Sequence, residues 1–441
     1  MIRTFICCFL IYSSLLAYQG QALELDYSTT IQTRWGINTR NGSTQSLNFR
    51  IQPELVFHFD NDIRLTAIAR AHSDIIDKIA PGSVIRESYN PASKPLLITH
   101  KLELELRELY VETEWDNTWF TVGKQQVVWG KADGLKVLDI VNPQSFREFI
   151  LEDFDDSRIP LWTVKVERSF GPIDVEFLWL PDQTYHALPE SGSTFGFTSS
   201  RVVPSRPPAD ASVDLLLPKR PDRIIRDSDA GIRLTSFWKG WDLTFNYLYQ
   251  YDNFPVLKQK LSQTTNNIAV TITQLYKRTH VIGTTLSNAF GDWVIRGEIA
   301  WFSNRHFLTR SPLSHQGVIS SPELLYVVGL DWSAPYDIFA SAQLFQSWVI
   351  KPKNSMNRDR LDNTLSLLLS RQFLNDTLSI ELLVLGNIND GDGMIRPNIE
   401  YLYNDDLKVW LGADLFYGDS KGLFGEFKSN DRVVIGMEWV F

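Results

Sequence analysis

Residues 47–59 read LNFRIQPELVFHF, with an apolar residue or proline at every odd position and polar residues at most even ones. Successive side chains of a β-strand point to opposite faces, so this alternation indicates a strand with one apolar and one polar face. The alternation resumes at Ile63, after the polar turn residues Asp60–Asp62. The two segments therefore predict a β-hairpin with a tight turn.

The same alternating unit recurs along the chain, at residues 173–179, 241–250, 293–301, 361–369, 395–403 and 407–415. Between the units, short turns alternate with longer polar loops, which is the layout of outer-membrane barrels. We therefore predict an all-β fold, a transmembrane antiparallel up-and-down β-barrel of about eighteen strands, with sixteen as the alternative. The short turns would be periplasmic and the long loops extracellular, and the lumen would hold water.

Aromatic residues favour a membrane barrel over a soluble β-sandwich, because they gather near strand ends as in the two interfacial belts of membrane barrels. The last strand also alternates, and it ends with Trp439 and Phe441. This ending resembles the C-terminal signal that the barrel assembly machinery recognises. We therefore expect the chain to lie in the lipid of a bacterial outer membrane, with that machinery as a partner.

The N-terminus has the features of a signal peptide, predicted to span residues 1–22 and to leave a barrel of residues 23–441. Arg3 precedes an apolar stretch, and small residues stand at the cleavage position around Ala22. The stretch is too short for a transmembrane helix. Cys7 and Cys8 lie within it, so the mature chain would have no disulfide and no thiolate site.

Charge and motifs argue against several functional classes. The formal charge of −9 argues against binding of nucleic acid, whose phosphates are also negative. The chain contains no G-x-S-x-G, H-E-x-x-H or P-loop motif. Residues 387–393 look like a calcium loop but lack the EF-hand register, so an acidic turn is the better interpretation. We predict neither an enzyme nor a metal or cofactor site.

The charged residues of the early strands are predicted to line the pore, because charges facing lipid cost several kcal/mol. Whether they only solvate the wall or also set selectivity stays open. The alternation slips after Arg107, which predicts a β-bulge there. The predicted pore-wall residues are Arg50, Arg64, Arg70, Lys101, Glu103, Glu105 and Arg107.

One long loop, residues 130–160, is rich in both charged and apolar residues. External loops are usually less apolar, so we predict that this one folds into the barrel and constricts the pore. Residues 145–151 could form a short helix there, and the loop would set a transverse field with the arginines of the wall. The candidate constriction residues are Lys131, Asp133, Arg147, Glu148, Asp155, Asp156 and Arg158.

The same region carries a resemblance to a family. Gly123-Lys124-Gln125, Trp129-Gly130 and Asn142-Pro143 match a G-[KR]-Q, W-G and N-P pattern. The pattern resembles that of a proteobacterial family of largely uncharacterised, porin-like outer-membrane proteins. The overall layout is similar to eighteen-stranded porins and alginate-export-type barrels. This resemblance implies a channel but names no substrate.

A channel for passive or substrate-selective passage of small polar solutes is therefore the expected function. The alternatives are an exporter or receptor barrel that works with periplasmic partners, and, with less support, an outer-membrane hydrolase. No plug domain precedes the first strand near Leu25, which disfavours an energy-coupled receptor. The substrate, the ion preference, the direction of transport and a possible homo-oligomer stay open.

Overall fold

A computed structural model describes residues 24–59, 62–81, 87–132, 134–190, 192–204, 211–263, 268–311 and 314–441. The predicted signal peptide and Asp133 lie outside the described residues. In chain order the strands are β1 (Glu24–Asn38), β2 (Thr44–Phe59), β3 (Ile63–Asp74), β4 (Leu97–Ile98), β5 (Leu102–Trp115), β6 (Thr118–Gln125), β7 (Leu161–Phe170), β8 (Ile173–Leu180), β9 (Ala211–Leu215), β10 (Asp229–Trp238), β11 (Trp241–Tyr251), β12 (Val256–Gln263), β13 (Ile268–Leu275), β14 (Arg278–Phe290), β15 (Trp293–Leu308), β16 (Val318–Ala334), β17 (Ile338–Val349), β18 (Leu361–Phe373), β19 (Leu378–Asn387), β20 (Asp392–Leu402), β21 (Leu407–Tyr417) and β22 (Arg432–Val440).

Eighteen of these strands form one closed antiparallel barrel, in which each strand pairs with its neighbours in the chain. The last strand, β22, pairs with the first, β1, in a register that places Trp439 opposite Ile31. The predicted all-β barrel is confirmed, with eighteen strands rather than sixteen. β4 pairs beside β5, whereas β9, β12 and β13 form a separate three-stranded sheet.

The outer face of the barrel is apolar. Along β16, Val328 and Leu330 are exposed, whereas the alternating Val327 and Asp331 are buried on the inner side. Aromatic residues are exposed near the rim of short turns. They include Trp115, Trp119, Phe170, Trp238, Trp293, Trp332, Tyr403, Trp439 and Phe441. A band of aliphatic side chains bordered by aromatic rings is the surface of an outer-membrane barrel, and the outer membrane is where this chain lies.

The predicted β-bulge is present on β5. Ile68 pairs with Glu108 and Ala69 pairs with Leu106, so Arg107 is the extra residue. A bulge bends its strand and redirects one side chain. The guanidinium of Arg107 consequently lies inside the barrel, on the loop described below.

The predicted helix at residues 145–151 is wrong. This segment is a series of turns in which Phe149 has a φ of 57°, a left-handed conformation that no α-helix contains. A single helical turn, α1 (Phe154–Ser157), follows instead.

No helix in the described part of the chain is long and apolar enough to cross a bilayer.

Candidate functional site

The loop between β6 and β7, residues 126–160, runs through the interior of the barrel, and we call it the crossing loop. Its first half is apolar and packs on β10 and β14. There the wall residues are glycines, Gly231 and Gly283, which leave room for Trp129 and Leu138. A Cβ at Gly283 would stand 2.3 Å from the Leu138 side chain, so the loop and the wall are in direct contact.

Among the described residues, this contact forms the largest apolar cluster inside the barrel. Loop residues Val127, Trp129, Val137, Leu138 and Val141 pack against lumen-facing residues of the wall. The wall contributes Leu161, Leu178, Leu180, Leu248, Val281, Ala300, Phe302, Val327 and Phe345. Trp129 is anchored further by its indole N–H, which donates to Glu176 Oε1 at 2.6 Å. The apolar half of the crossing loop therefore fills this side of the lumen.

The two ends of the crossing loop are tied together by Asn142. Its Oδ1 accepts a hydrogen bond from the Val127 backbone N–H at 2.7 Å, and its Nδ2 donates to the Ile159 carbonyl at 2.9 Å. The Ile159 N–H also donates to the Pro143 carbonyl at 2.8 Å. The N-P pair of the sequence pattern thus lies where the loop closes on itself.

The second half of the crossing loop is charged, and Glu148 is its central anchor. The Glu148 side chain is only 1% exposed and forms ion pairs with Arg34 of β1 and, at 3.0 Å, with Arg432 of β22. Asn48 Nδ2 of β2 also donates to it at 3.0 Å. One loop carboxylate therefore joins three wall strands, including the pair at which the barrel closes.

Asp156 is a second anchor. It forms ion pairs with Arg50 and, at 2.7 Å, with Arg70. Beside them the bulged Arg107 donates to three backbone carbonyls of the loop, among them that of Arg158 at 2.9 Å. The wall residues Arg50, Arg70 and Arg107 are therefore held directly against the crossing loop.

The other predicted site residues have different partners. Of the wall residues, Glu103 pairs with Arg147 of the crossing loop at 3.0 Å, whereas Glu105 lies 3.7 Å from Arg70, which is itself on the wall. Lys131 pairs with Asp242 on the other side of the barrel, Asp155 is 88% exposed beside Arg158, and Arg158 pairs with Asp139 at 2.8 Å. Arg64 pairs with Glu112 on β5. Lys101 is an exposed residue just before β5.

A chamber of about 250 Å³ lies between the charged half of the loop and the wall formed by β1–β3, β5 and β19–β22. Sequence reasoning did not assign Arg34 and Arg432 to it, although strand alternation puts both on a polar face. The titratable groups that line it are Arg34, Arg50, Arg70, His72, Tyr89, Glu103, Glu105, Arg107, Arg147, Glu152, Asp153, Asp156, Glu381, Arg396, Glu400, Lys408, Asp414, Arg432 and Glu438.

Ion pairing in this chamber is uneven. Every arginine and lysine that lines it has an acidic partner within 4.0 Å. Three lining carboxylates, Glu152, Asp153 and Glu381, form no such ion pair with any described residue. The uncompensated charge of the chamber is therefore negative.

The loop carboxylates differ in their affinity for protons. Burial alone would raise the pKa of Glu148, but Arg34 and Arg432 outweigh it and lower this pKa to about 2. In the same way Arg70 and Arg50 overcome burial and hold the pKa of Asp156 far below its usual range. Burial and the neighbouring charge of Glu148 raise the pKa of Glu152. Both anchors therefore stay ionised where Glu152 takes up a proton.

No group of three or more described His, Asp or Glu side chains is arranged to hold a metal ion. The site is one of ion pairs and apolar packing within a barrel, and these features define a porin-like outer-membrane β-barrel.

The chain belongs to the family described as "Protein of unknown function (DUF1302)", which it matches over residues 37–348. No curated protein sequence matches it.

Among solved structures, the chain is similar to outer-membrane channels. OccK2 (OpdF) of Pseudomonas aeruginosa aligns with a TM-score of 0.53 and 9% identity, over 95% of this chain and 98% of that one. OccAB3 of Acinetobacter baumannii aligns with a TM-score of 0.51 and 8% identity, over 95% and 99%. At these identities the similarity shows the shared barrel fold.

Proposed function

We propose that this protein is a selective outer-membrane channel through which small polar solutes pass along the charged chamber. The observation that carries the proposal is the crossing loop, which packs apolar side chains against one side of the lumen and charged side chains against the other. A lumen filled in this way suits passage of selected small molecules better than bulk diffusion. The short turns would face the periplasm, and the barrel assembly machinery would recognise Trp439 and Phe441.

Planar-bilayer recording tests the proposal directly. We expect the purified protein to insert and to give discrete current steps smaller than those of a barrel with an open lumen. Current that appears only with denatured protein, or no current from protein shown to be folded, would refute a channel.

The channel is expected to prefer cations, because the chamber's three unpaired carboxylates are Glu152, Asp153 and Glu381. Charged side chains that line a pore attract ions of opposite sign and set selectivity. Under a KCl gradient the reversal potential should be displaced from zero towards the equilibrium potential of K⁺. The triple variant E152Q/D153N/E381Q should move it towards zero or beyond.

The single variant D155N provides the matched control. It removes one carboxylate from the same loop, but Asp155 is exposed beside Arg158 and does not line the chamber. An equal shift from D155N would mean that general surface charge, and not the chamber, sets the preference.

Acidification should weaken the cation preference without opening the loop. A carboxyl whose folded-state pKa is lowered stabilises the fold fully above its ordinary pKa of 4.5 and loses that effect only as the pH falls towards about 2, as for Glu148. Glu152, whose pKa is raised, protonates first. Recording between neutral pH and about pH 4 should show a shift in reversal potential with little change in conductance. A conductance jump in that range would contradict this order of protonation.

A further inference from the structure

A second cavity, of about 310 Å³, lies on the other side of the charged loop segment, against β11, β15 and β16. Five phenylalanines line it. They are Phe146, Phe149, Phe154, Phe254 and Phe302. The rings of Phe146 and Phe254 stack at 5.6 Å between centroids. Aliphatic side chains, among them Leu135, Ile140 and Leu325, complete the wall.

The size and lining of this cavity suit a small aromatic molecule. Ligand pockets begin at about 300 Å³ and are mostly apolar with a few polar groups. A cavity of about 150 Å³ lined by aliphatic and phenylalanine side chains is enough for benzene. The cavity therefore has room for one ring with a short substituent.

Glu152 gives the cavity a charged end. Together with Ser145 it lines both this cavity and the charged chamber, so its carboxylate lies at the boundary between the two. Its Oε2 atom is buried and has no hydrogen-bond partner among the described residues. A buried carboxylate oxygen without a donor is costly, and a ligand that brings a donor would remove that cost.

The other charged groups of the cavity are already neutralised. Lys136 lies 3.3 Å from Asp139, and Arg305 lies 2.8 Å from Asp252. His186 is neutral, because burial lowers its pKa to about 3, and its Nδ1 accepts the Gln144 N–H at 2.8 Å. Glu152 is thus the charge that remains for a ligand.

We propose that this cavity binds a small aromatic amine as its cation, with the ring among the phenylalanines and the ammonium on Glu152. An ammonium can donate to the unpartnered oxygen in a charge-assisted hydrogen bond, and the faces of aromatic rings attract cations. The inference rests on the proposed function, since it names the class of solute that the cation-preferring path delivers to Glu152.

Calorimetric titration of the full chain in detergent micelles tests the proposal with three probes of one shape: benzylamine, benzyl alcohol and benzoate. Benzylamine should bind more tightly than benzyl alcohol by about tenfold or more, the effect of one hydrogen bond to a charged group. Benzoate should bind most weakly. In the variant E152Q, benzylamine should fall to the affinity of benzyl alcohol, whose own affinity changes little.

Filling the cavity gives an independent test. Leu325 of β16 lines it, whereas Leu330 of the same strand is exposed on the lipid face. L325W should abolish binding of benzylamine and benzyl alcohol, and L330W, with the same added bulk, should leave both unchanged.

Either of two results would overturn this inference: no benzylamine binding to the unmodified protein, or the same binding in E152Q and L325W as in the unmodified protein. Because titration needs no current, its failure is separate from that of the channel. Ion conduction without benzylamine binding would refute this site alone, and binding without conduction would refute the channel alone.

Discussion

Replacing residues 146–156 of the crossing loop with two glycines is expected to raise the single-channel conductance several-fold. This segment carries Glu148 and Asp156, which hold the charged half of the loop against the wall. The flanking residues already lie together, because the Ser145 N–H donates to the Ser157 carbonyl at 2.6 Å. A two-residue turn can therefore connect Ser145 to Ser157. Removal of residues 146–156 joins the chamber to the second cavity, which the five phenylalanines line.

The control is a second two-glycine replacement, in an exposed segment that lines neither the chamber nor the second cavity. Residues 221–226 belong to the long connection between β8 and β10, and Ile224 and Ile225 are exposed there. Two glycines in their place should leave the conductance unchanged. If the crossing-loop variant folds, inserts and conducts like the unmodified protein, the current does not pass this loop, and the proposed path is wrong.

The barrel could be predicted from the sequence because strand alternation is a local property. The pairing of β2 with β3 and the bulge at Arg107 both follow from which side chains are apolar within a few residues. Closure of the barrel was predictable too. An open sheet leaves two unpaired edge strands, and pairing of the last strand, β22, with the first, β1, removes both edges.

The prediction of a helix at residues 145–151 was wrong because it, too, used only local sequence. Its charged and apolar spacing could have formed a helix, but contacts with distant strands determine its backbone. Phe149, with its φ of 57°, packs on Phe416, Phe424 and Phe427. Local propensity is a weak predictor where long-range packing decides the conformation.

Partners of the loop carboxylates could not be read from the sequence. Glu148 was a candidate, yet its partner Arg432 is 284 residues away along the chain. Alternation says which face a side chain is on but not its height along the strand. That height depends on the stagger of all the strands between them. The unequal ion pairing in the chamber, on which the proposed cation preference rests, could therefore be seen only in the structure.

The variant E148A is expected to destabilise the folded protein by about 3–5 kcal/mol, the usual cost of removing one partner from a buried ion pair. Arg432, only 2% exposed, keeps Asp414 at 2.7 Å, but Arg34 loses the acidic group it pairs with. Arginine cannot shed its proton in a protein. Arg34 must then either draw water into the contact or turn towards another acidic group of the chamber, and both release the loop from β1.

Two readouts should change together in E148A. Unfolding followed by tryptophan fluorescence in micelles should begin at lower denaturant or temperature, and the reversal potential should shift towards anions, because a buried negative charge is gone. D155A is the matched control: it removes a carboxylate that is 88% exposed from the same loop, and exposed pairs contribute about 0–1 kcal/mol. If E148A destabilised the protein and shifted the reversal potential as little as D155A does, Glu148 would not anchor the loop. The charged half would then be held by Asp156 and Arg107.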